Sequence, residues 1–136
     1  MVLYEANFIK LSQLVPDFFE RTGTSVSRSA GDCDLHLGIE ARSRYTSQVR
    51  LSYRFADSDS KWVAEPDLLA KVYRDARMVE VRSWVYPDRH PLLRELGARY
   101  FRPLDLCWSR NIMLSKWLDY LLECGHKFPV QSRVSA

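Results

Sequence analysis

The fold is decided by residues 35–55, which have the sequence LHLGIEARSRYTSQVRLSYRF. Apolar residues occupy every second position on both sides of a polar centre, first over residues 35–41 and then over residues 49–55. Because successive side chains of a β-strand point to opposite faces, this alternation predicts a hairpin with one apolar and one polar face. We expect the chain to turn between Ala41 and Ser47. The apolar face requires a core, and the polar face meets water or a ligand.

Two further segments extend the same alternation. The parity of Leu68–Val72 predicts a third strand, and that of Met78–Tyr86 predicts a fourth, although the latter stretch is equally compatible with a helix. Short connections between these segments favour an antiparallel meander over crossover connections. The small and polar residues from 22 to 32 predict a loop.

Helical spacing of apolar residues precedes and follows these strands. Residues 3–15 predict an amphipathic helix, with Asn7 as its N-cap and Pro16 as its end. Pro91 suits the first turn of a short helix after the fourth strand. The N-terminal helix is short, so we expect it to depend on packing against the sheet.

The strongest helical pattern covers residues 106–124, which carry a wide apolar stripe. Gly125 suits the C′ position after this helix, and His126 stands where the helix dipole favours a cation. We therefore expect a single α+β domain over residues 1–129. It should consist of an antiparallel sheet of about four strands whose apolar face is covered by an N-terminal and a C-terminal helix, with residues 130–136 as a tail.

Composition places the chain among ordinary globular proteins. Its 136 residues suffice for one domain, and 46% hydrophobic and 27% charged residues with a net charge of +3 fit a soluble protein. The odd set of Cys33, Cys107 and Cys124 argues against a disulfide framework and for a reducing compartment. Neither a signal peptide nor a membrane-spanning stretch is predicted. We therefore expect a cytoplasmic protein without membrane contact.

Several short patches form a combined pattern along the chain: Tyr4-Glu5 with Asn7-Phe8, Leu11, Leu14 and Pro16; Arg44-Tyr45-Thr46; Pro66-Asp67 followed by Val72–Arg77; and Asn111 with Lys116–Tyr120 and Gly125-His126. Together they resemble the YqiB-like family of small bacterial proteins, a domain family of unknown function. The resemblance extends from about Tyr4 to His126. It implies no catalytic or binding residue, because that family has no assigned activity.

The polar face of the sheet is the first candidate site. Its cationic residues are Arg42, Arg44, Arg50, Arg54 and Lys71, with Tyr73 and Trp84 between them. Guanidinium groups bind phosphates in a bidentate manner and aromatic rings stack on bases, so this face suits a nucleotide or nucleic acid. The competing interpretation is a solvated face on which Glu40, Asp75 and Glu80 pair with the arginines.

Two further candidates lie beside this face. Asp75 stands between Arg74 and Arg77, and the three predict either a clasp that fixes the turn between two strands or a small anion site. Trp62 is expected in a loop and Trp84 on the outward parity of its strand. Exposed aromatic residues beside arginines are typical of interface hot spots, so these two predict contact with a protein partner or a second copy of the chain.

Metal and catalytic chemistry are weakly supported. Four potential zinc ligands occur in two groups, Cys33 with His36 and Cys124 with His126. They could bind one ion only if the loop before the hairpin met the end of the last helix, and their spacing is not that of common zinc sites. The acidic turn at residues 57–60 lacks the later ligands of a calcium loop. No hydrolase, P-loop or zinc-protease motif is present, so we predict neither an enzyme, nor a cofactor, nor a metal site.

The prediction for function is a non-enzymatic cytoplasmic binding or adaptor protein that acts through protein–protein contacts. The alternative is an anion-binding module for a nucleotide or nucleic acid that uses the arginine-rich outer face of the sheet.

Overall fold

The computed structural model describes residues 2–17, 19–30, 32, 34–56, 62–85, 91–100 and 105–129, without the side chains at 54–56, 62–66, 84–85 and 91–93. Its elements are α1 (Val2–Leu14), β1 (Thr24–Ser27), β2 (Leu35–Arg42), β3 (Thr46–Ala56), β4 (Trp62–Tyr73), β5 (Met78–Val85), α2 (Pro91–Tyr100) and α3 (Leu106–Glu123). The following predictions concern groups outside the described residues: the acidic turn at 57–60, the tail at 130–136, Cys33, and the side chains of Arg54, Trp62 and Trp84. The backbone of Trp62 was predicted in a loop and is instead the first residue of β4, where it pairs with Ala56 of β3.

The sheet is an antiparallel meander in the order β1-β2-β3-β4-β5, which confirms the α+β class. It has five strands where about four were predicted, because Thr24–Ser27 pairs with β2 instead of lying in a loop. A segment of four residues is too short to show an alternating pattern in the sequence, and this strand forms only because it pairs with β2. Met78–Val85 is a strand, so the ambiguity between helix and strand is resolved.

The apolar parity of the sheet faces the core. The buried strand residues are Leu35, Leu37, Val49, Leu51, Tyr53, Leu68, Ala70, Val72, Val79 and Val81. They form one cluster with buried residues of α1 and α3, among them Leu14, Trp117 and Leu118. The Tyr53 and Trp117 rings meet edge to face, with their centroids 5.3 Å apart. Helices at both ends of the chain therefore share one core with the sheet, as predicted.

A bulge in β2 overturns the alternation at the end of that strand. Ile39 pairs with Val49, but Ala41 pairs with Gln48, so Glu40 is an extra residue without a partner position. Ala41 was predicted to face the core and is exposed. Side chains alternate strictly along a strand, so one extra residue moves each later side chain of that strand to the opposite face of the sheet.

Two more bulges interrupt β4 and β5. Between Ser52 and Arg54 of β3, β4 contributes two residues opposite one, and one of these is Pro66, which has no N–H for a ladder hydrogen bond. In β5 the register shifts so that Ala70 pairs with Val81 and Leu68 pairs with Trp84. Trp84 thus occupies the register position opposite Leu68.

α1 begins earlier than predicted. Asn7 was predicted as the N-cap, but it is a buried residue inside the helix, and its side-chain amide donates to the carbonyl of Asn111 at 3.0 Å. The side-chain oxygen of Asn111 in turn accepts the Val81 amide at 3.1 Å. Since β5 is an edge strand, this bond occupies a backbone donor that the sheet leaves open. The two asparagines therefore link α1, α3 and the sheet edge.

α3 agrees with its prediction at both ends. The Asp105 carboxylate caps the helix by accepting the Trp108 amide at 3.0 Å. Gly125 has a φ of +84° and takes the predicted C′ position. The Gly125 amide donates to the carbonyl of Leu122, and the His126 amide donates to the carbonyl of Leu121. These two hydrogen bonds form a Schellman motif. Among the residues described, no helix combines the length and the apolar character needed to cross a bilayer.

Candidate functional site

Arg50 is the centre of the outer face, and two carboxylates surround it. Its Nε donates to Glu40 at 2.5 Å and its Nη1 donates to Asp67 at 2.7 Å. The hydrogen bond to Glu40, followed by that to Asp67, raises the pKa of Arg50 above its ordinary value. Pairing with Glu40 was anticipated and pairing with Asp67 was not. One cation and two anions give this cluster a formal charge of −1, which does not favour a phosphate.

Two of the other cations predicted on this face, Arg42 and Lys71, make contacts with other groups. The bulge at Glu40 places Arg42 opposite the buried Ser47, and the Arg42 guanidinium donates to the carbonyl of Arg21. Lys71 lies over the ring of Tyr73, with its Nζ 5.3 Å from the centroid. The bulge therefore separates Arg42 from the face on which Arg50 lies.

A small cavity of about 140 Å³ adjoins Arg50 on the outer face. Its lining residues are Thr24, His36, Leu37, Gly38, Glu40, Arg50 and Ser52. Cavities that hold small ligands commonly measure about 300–1,000 Å³, so this one is small for a nucleotide.

The turn between β4 and β5 contains Arg74, Asp75, Ala76 and Arg77. No ion pair joins Asp75 to Arg74 or Arg77 in the described structure, so the predicted clasp does not form. The Arg74 amide instead donates to Tyr45 at 2.8 Å, and the Arg74 guanidinium lies 5.3 Å from the centre of the Phe19 ring. Arg77 closes the turn with a φ of +52°, a left-handed conformation that is uncommon for residues with a side chain.

A groove of about 530 Å³ separates this turn from α1, and we refer to it as the α1 groove. Its lining residues are Glu5, Phe8, Ile9, Ser12 and Gln13 of the helix with Ala76 and Arg77 of the turn. Ile9 projects beside it with 59% of its surface exposed, and Phe8 packs on Phe19 at a centroid distance of 6.3 Å. No pattern in the sequence predicted this groove. The available signal was Ile9 itself, an apolar residue outside the apolar stripe of α1.

A second set of polar residues lies inside the protein. The His126 ring lies just after α3, as predicted, and it is buried between the Ser27 hydroxyl at Nδ1 and the Asp32 carboxylate at Nε2, both at 3.0 Å. The Tyr53 hydroxyl donates to the same carboxylate at 2.5 Å, and that of Tyr120 approaches it at 3.5 Å. We call these five residues the His126 cluster.

Burial, and next the hydrogen bond to Asp32, raise the pKa of Tyr53 far above its ordinary value of 10. Burial is also the first cause of the raised pKa of Tyr120. In each case the protein interior disfavours the charged phenolate. The cluster thus keeps its hydroxyl groups protonated, as donors toward Asp32.

Ser27, His126 and Asp32 are joined by consecutive hydrogen bonds, and these three residue types also form a hydrolytic triad. Here Ser27 is only 5% exposed, and its Oγ additionally accepts the Lys127 amide at 3.0 Å. None of the cavities described above is lined by Ser27, Asp32 or His126. The hydrogen bonds of the cluster connect β1, β3 and the segment that follows α3.

No three histidine, cysteine or acidic side chains within the described ranges gather as metal ligands would. Cys124 is a partly buried free thiol, while Cys107 is exposed and lies 3.0 Å from the Tyr4 hydroxyl. The hydrogen bond between these two groups is the first cause that raises the pKa of Tyr4 to about 12.

A comparison with family models matches residues 10–127 to the family described as Protein of unknown function (DUF1249). The chain belongs to this family. No curated protein and no solved structure matches it. The range matched within this DUF1249 domain contains Arg50 and the whole His126 cluster. Of the α1 groove, it contains Ser12, Gln13 and the turn, whereas Glu5, Phe8 and Ile9 precede it.

Proposed function

We propose that this DUF1249 domain is a non-enzymatic binding protein and that it contacts a protein partner through the α1 groove. The observation that carries the proposal is an open groove of about 530 Å³ beside the exposed side chain of Ile9. An apolar recess next to a projecting apolar residue gains stability when a partner removes both from water. The wall of the recess formed by Phe8 is preformed, because Phe8 packs on Phe19 and Arg74 lies over the Phe19 ring.

The lining of the groove indicates what kind of surface fits. Its apolar part, formed by Phe8, Ile9 and Ala76, suits aliphatic or aromatic side chains. Glu5 and Arg77 add one negative and one positive charge. Opposite charges on the partner would fix its orientation more than its affinity. The partner is therefore a protein surface with apolar side chains flanked by both signs of charge.

The alternative, an anion-binding module on the outer face, has less support. A phosphate at Arg50 would have to replace or join Glu40 and Asp67, whose two negative charges already lie within hydrogen-bond distance. Thermal unfolding with phosphate, nucleotides and short single-stranded nucleic acids tests this alternative. A rise in Tm that Arg50→Gln abolishes and Arg42→Gln preserves would favour the outer face over the groove.

Site-specific photo-crosslinking in cells tests the groove. A photoreactive phenylalanine analogue is placed at Gln13, which lines the groove, and in a control protein at Val26, an exposed apolar residue on β1 at the opposite edge of the sheet from β5. We expect discrete crosslinked products from Gln13 that Ile9→Asp removes, and none of these from Val26. Identical products from both positions, or products insensitive to Ile9→Asp, would refute the assignment.

The proposal retains the other predictions drawn from the sequence as expectations. They are a cytoplasmic location, a bacterial origin among YqiB-like proteins, and participation of Trp62 and Trp84 in partner contact.

A further inference from the structure

We propose that the occupant of the α1 groove is a second copy of this chain, with the two α1 helices packed antiparallel about a two-fold axis near Ile9. This inference rests on the proposed function, because it names the partner of the same groove. Three properties of the groove support it: the spacing of its exposed residues, its pair of charges, and its shape.

The exposed residues of α1 form one stripe. Four exposed residues follow each other along α1 at intervals of three, four and four positions: Val2, Glu5, Ile9 and Gln13. Such spacing keeps side chains on one face of a helix and is the spacing used in helix–helix contacts. The opposite side of α1 is already packed on α3 and β5. The stripe is therefore a second helix face, with the apolar Val2 and Ile9 exposed by 80% and 59%.

The charges of the groove are complementary to each other. Glu5 and Arg77 line the same groove, yet no ion pair joins them in the described structure. A two-fold interface brings residue i against residue j and residue j against residue i, so one acid and one base on a patch form two ion pairs. Arg77 lines the groove together with Gln13, which lies near the C-terminal end of α1. An antiparallel second helix centred on Ile9 would carry its own Glu5 to the level of Gln13.

The shape of the groove is also self-complementary. Ile9 projects next to a recess that is walled by Phe8 and Ala76. Four residues along a helix correspond to about 6 Å, so a two-fold axis at Ile9 superposes the level of Glu5 on that of Gln13 in the other copy. Each Ile9 then lies over the recess of its neighbour.

Analytical ultracentrifugation of the full chain, from about 1 μM to about 1 mM, tests the proposal. We expect a reversible dimer. Ile9→Asp should weaken it about a hundredfold, since both copies lose a buried side chain. Glu5→Arg and Arg77→Glu should each weaken it about tenfold, and the protein with both changes should return to within about threefold of the original. Val26→Asp is the matched control and should leave dimerisation unchanged.

Far-UV circular dichroism and Tm verify that each variant is folded. We expect them to fold because all four substituted positions are exposed, namely Glu5, Ile9, Val26 and Arg77. A chain that stays monomeric up to about 1 mM overturns the inference, as does a dimer unaffected by Ile9→Asp or charge reversals that do not rescue each other. A monomer that still crosslinks at Gln13 to another protein refutes the second copy as partner but leaves the proposed function intact. A monomer without specific crosslinks refutes both.

Discussion

Removing the hydroxyl group of Tyr53 tests the His126 cluster directly. In Tyr53→Phe the ring keeps its edge contact with Trp117, while Asp32 loses a donor at 2.5 Å and retains His126 at 3.0 Å and Tyr120 at 3.5 Å. A hydrogen bond to a charged group contributes about 1.5–3 kcal/mol. We therefore expect the free energy of unfolding at pH 8 to fall by about 2 kcal/mol, and Tm by about 8 °C.

The same variant has a signature at alkaline pH. The folded-state pKa of Tyr53 is raised, whereas in the unfolded chain the hydroxyl ionises near its ordinary value of 10. Above pH 10 the unfolded state thus binds one proton fewer, and the contribution of Tyr53 to stability falls by about 1.4 kcal/mol per pH unit. Phenylalanine has no such proton. The difference between the two proteins should therefore shrink from about 2 kcal/mol at pH 8 to well under 1 kcal/mol near pH 11.

Urea denaturation followed by tryptophan fluorescence, in the presence of a reductant, measures both effects. Tyr73→Phe is the control, because Tyr73 lies on the outer face of the sheet and its replacement should change stability by less than about 0.5 kcal/mol. The reasoning is refuted if Tyr53→Phe is as stable as the original at pH 8. It is equally refuted if the deficit does not diminish as the pH rises.

Three further predictions concern the backbone and the sheet edge. Asn111→Ala removes the acceptor of the Val81 amide and should cost about 2 kcal/mol in urea denaturation; a loss below about 0.5 kcal/mol would mean that water replaces the bond. Gly125→Ala should lower the free energy of unfolding by about 1–2 kcal/mol, because its φ of +84° disfavours a side chain even though no atom lies near the added Cβ. Gly38→Ala, whose Cβ would meet Thr24 Cγ2 at an ordinary 3.6 Å, should be neutral within about 0.5 kcal/mol. Equal effects of the two substitutions would contradict this. Arg77→Gly should raise the stability of the monomer by about 0.5 kcal/mol, as relief of the strain at φ +52° slightly exceeds the entropy cost of glycine, and a lower Tm would disprove it.

The predicted anion site shows why a sequence pattern can identify a face without identifying a site. Arg42, Arg50 and Lys71 share an outward parity in the sequence. In the structure one bulge at Glu40 removes Arg42 from that parity, and the carboxylate of Asp67 reaches Arg50 from the neighbouring strand. Parity is a local property, whereas a bulge and a cross-strand ion pair depend on which strand lies alongside.

The His126 cluster shows a greater limit. His126 lies 94 residues from Asp32 and 99 residues from Ser27 along the chain, and no local pattern connects them. From the sequence we could expect only a cation near a helix end, because the helix dipole acts within one turn. Packing of α3 against the sheet buries the ring instead, and the acceptor and donor around it come from segments that were expected to be a loop.

The α1 groove could be anticipated only in part. Ile9 on a polar helix face was a visible signal, but the second wall comes from a turn almost 70 residues later in the chain. The turn reaches α1 because β4 and β5 are long strands of a meander, so that their connection extends beyond the sheet core. A cavity is the space between two elements, and neither element defines it alone.

The sequence by itself determined the α+β class, the buried parity of the central strands, the position of α3 and its glycine stop. These features follow from interactions between residues a few positions apart, namely side-chain alternation, helical periodicity and backbone conformation at a helix end. Only the tertiary structure decided the fifth strand, the bulges, the burial of His126 and the groove beside Ile9. Each of these depends on contacts between distant segments, whose free energy exists only once the sheet and the helices have packed together.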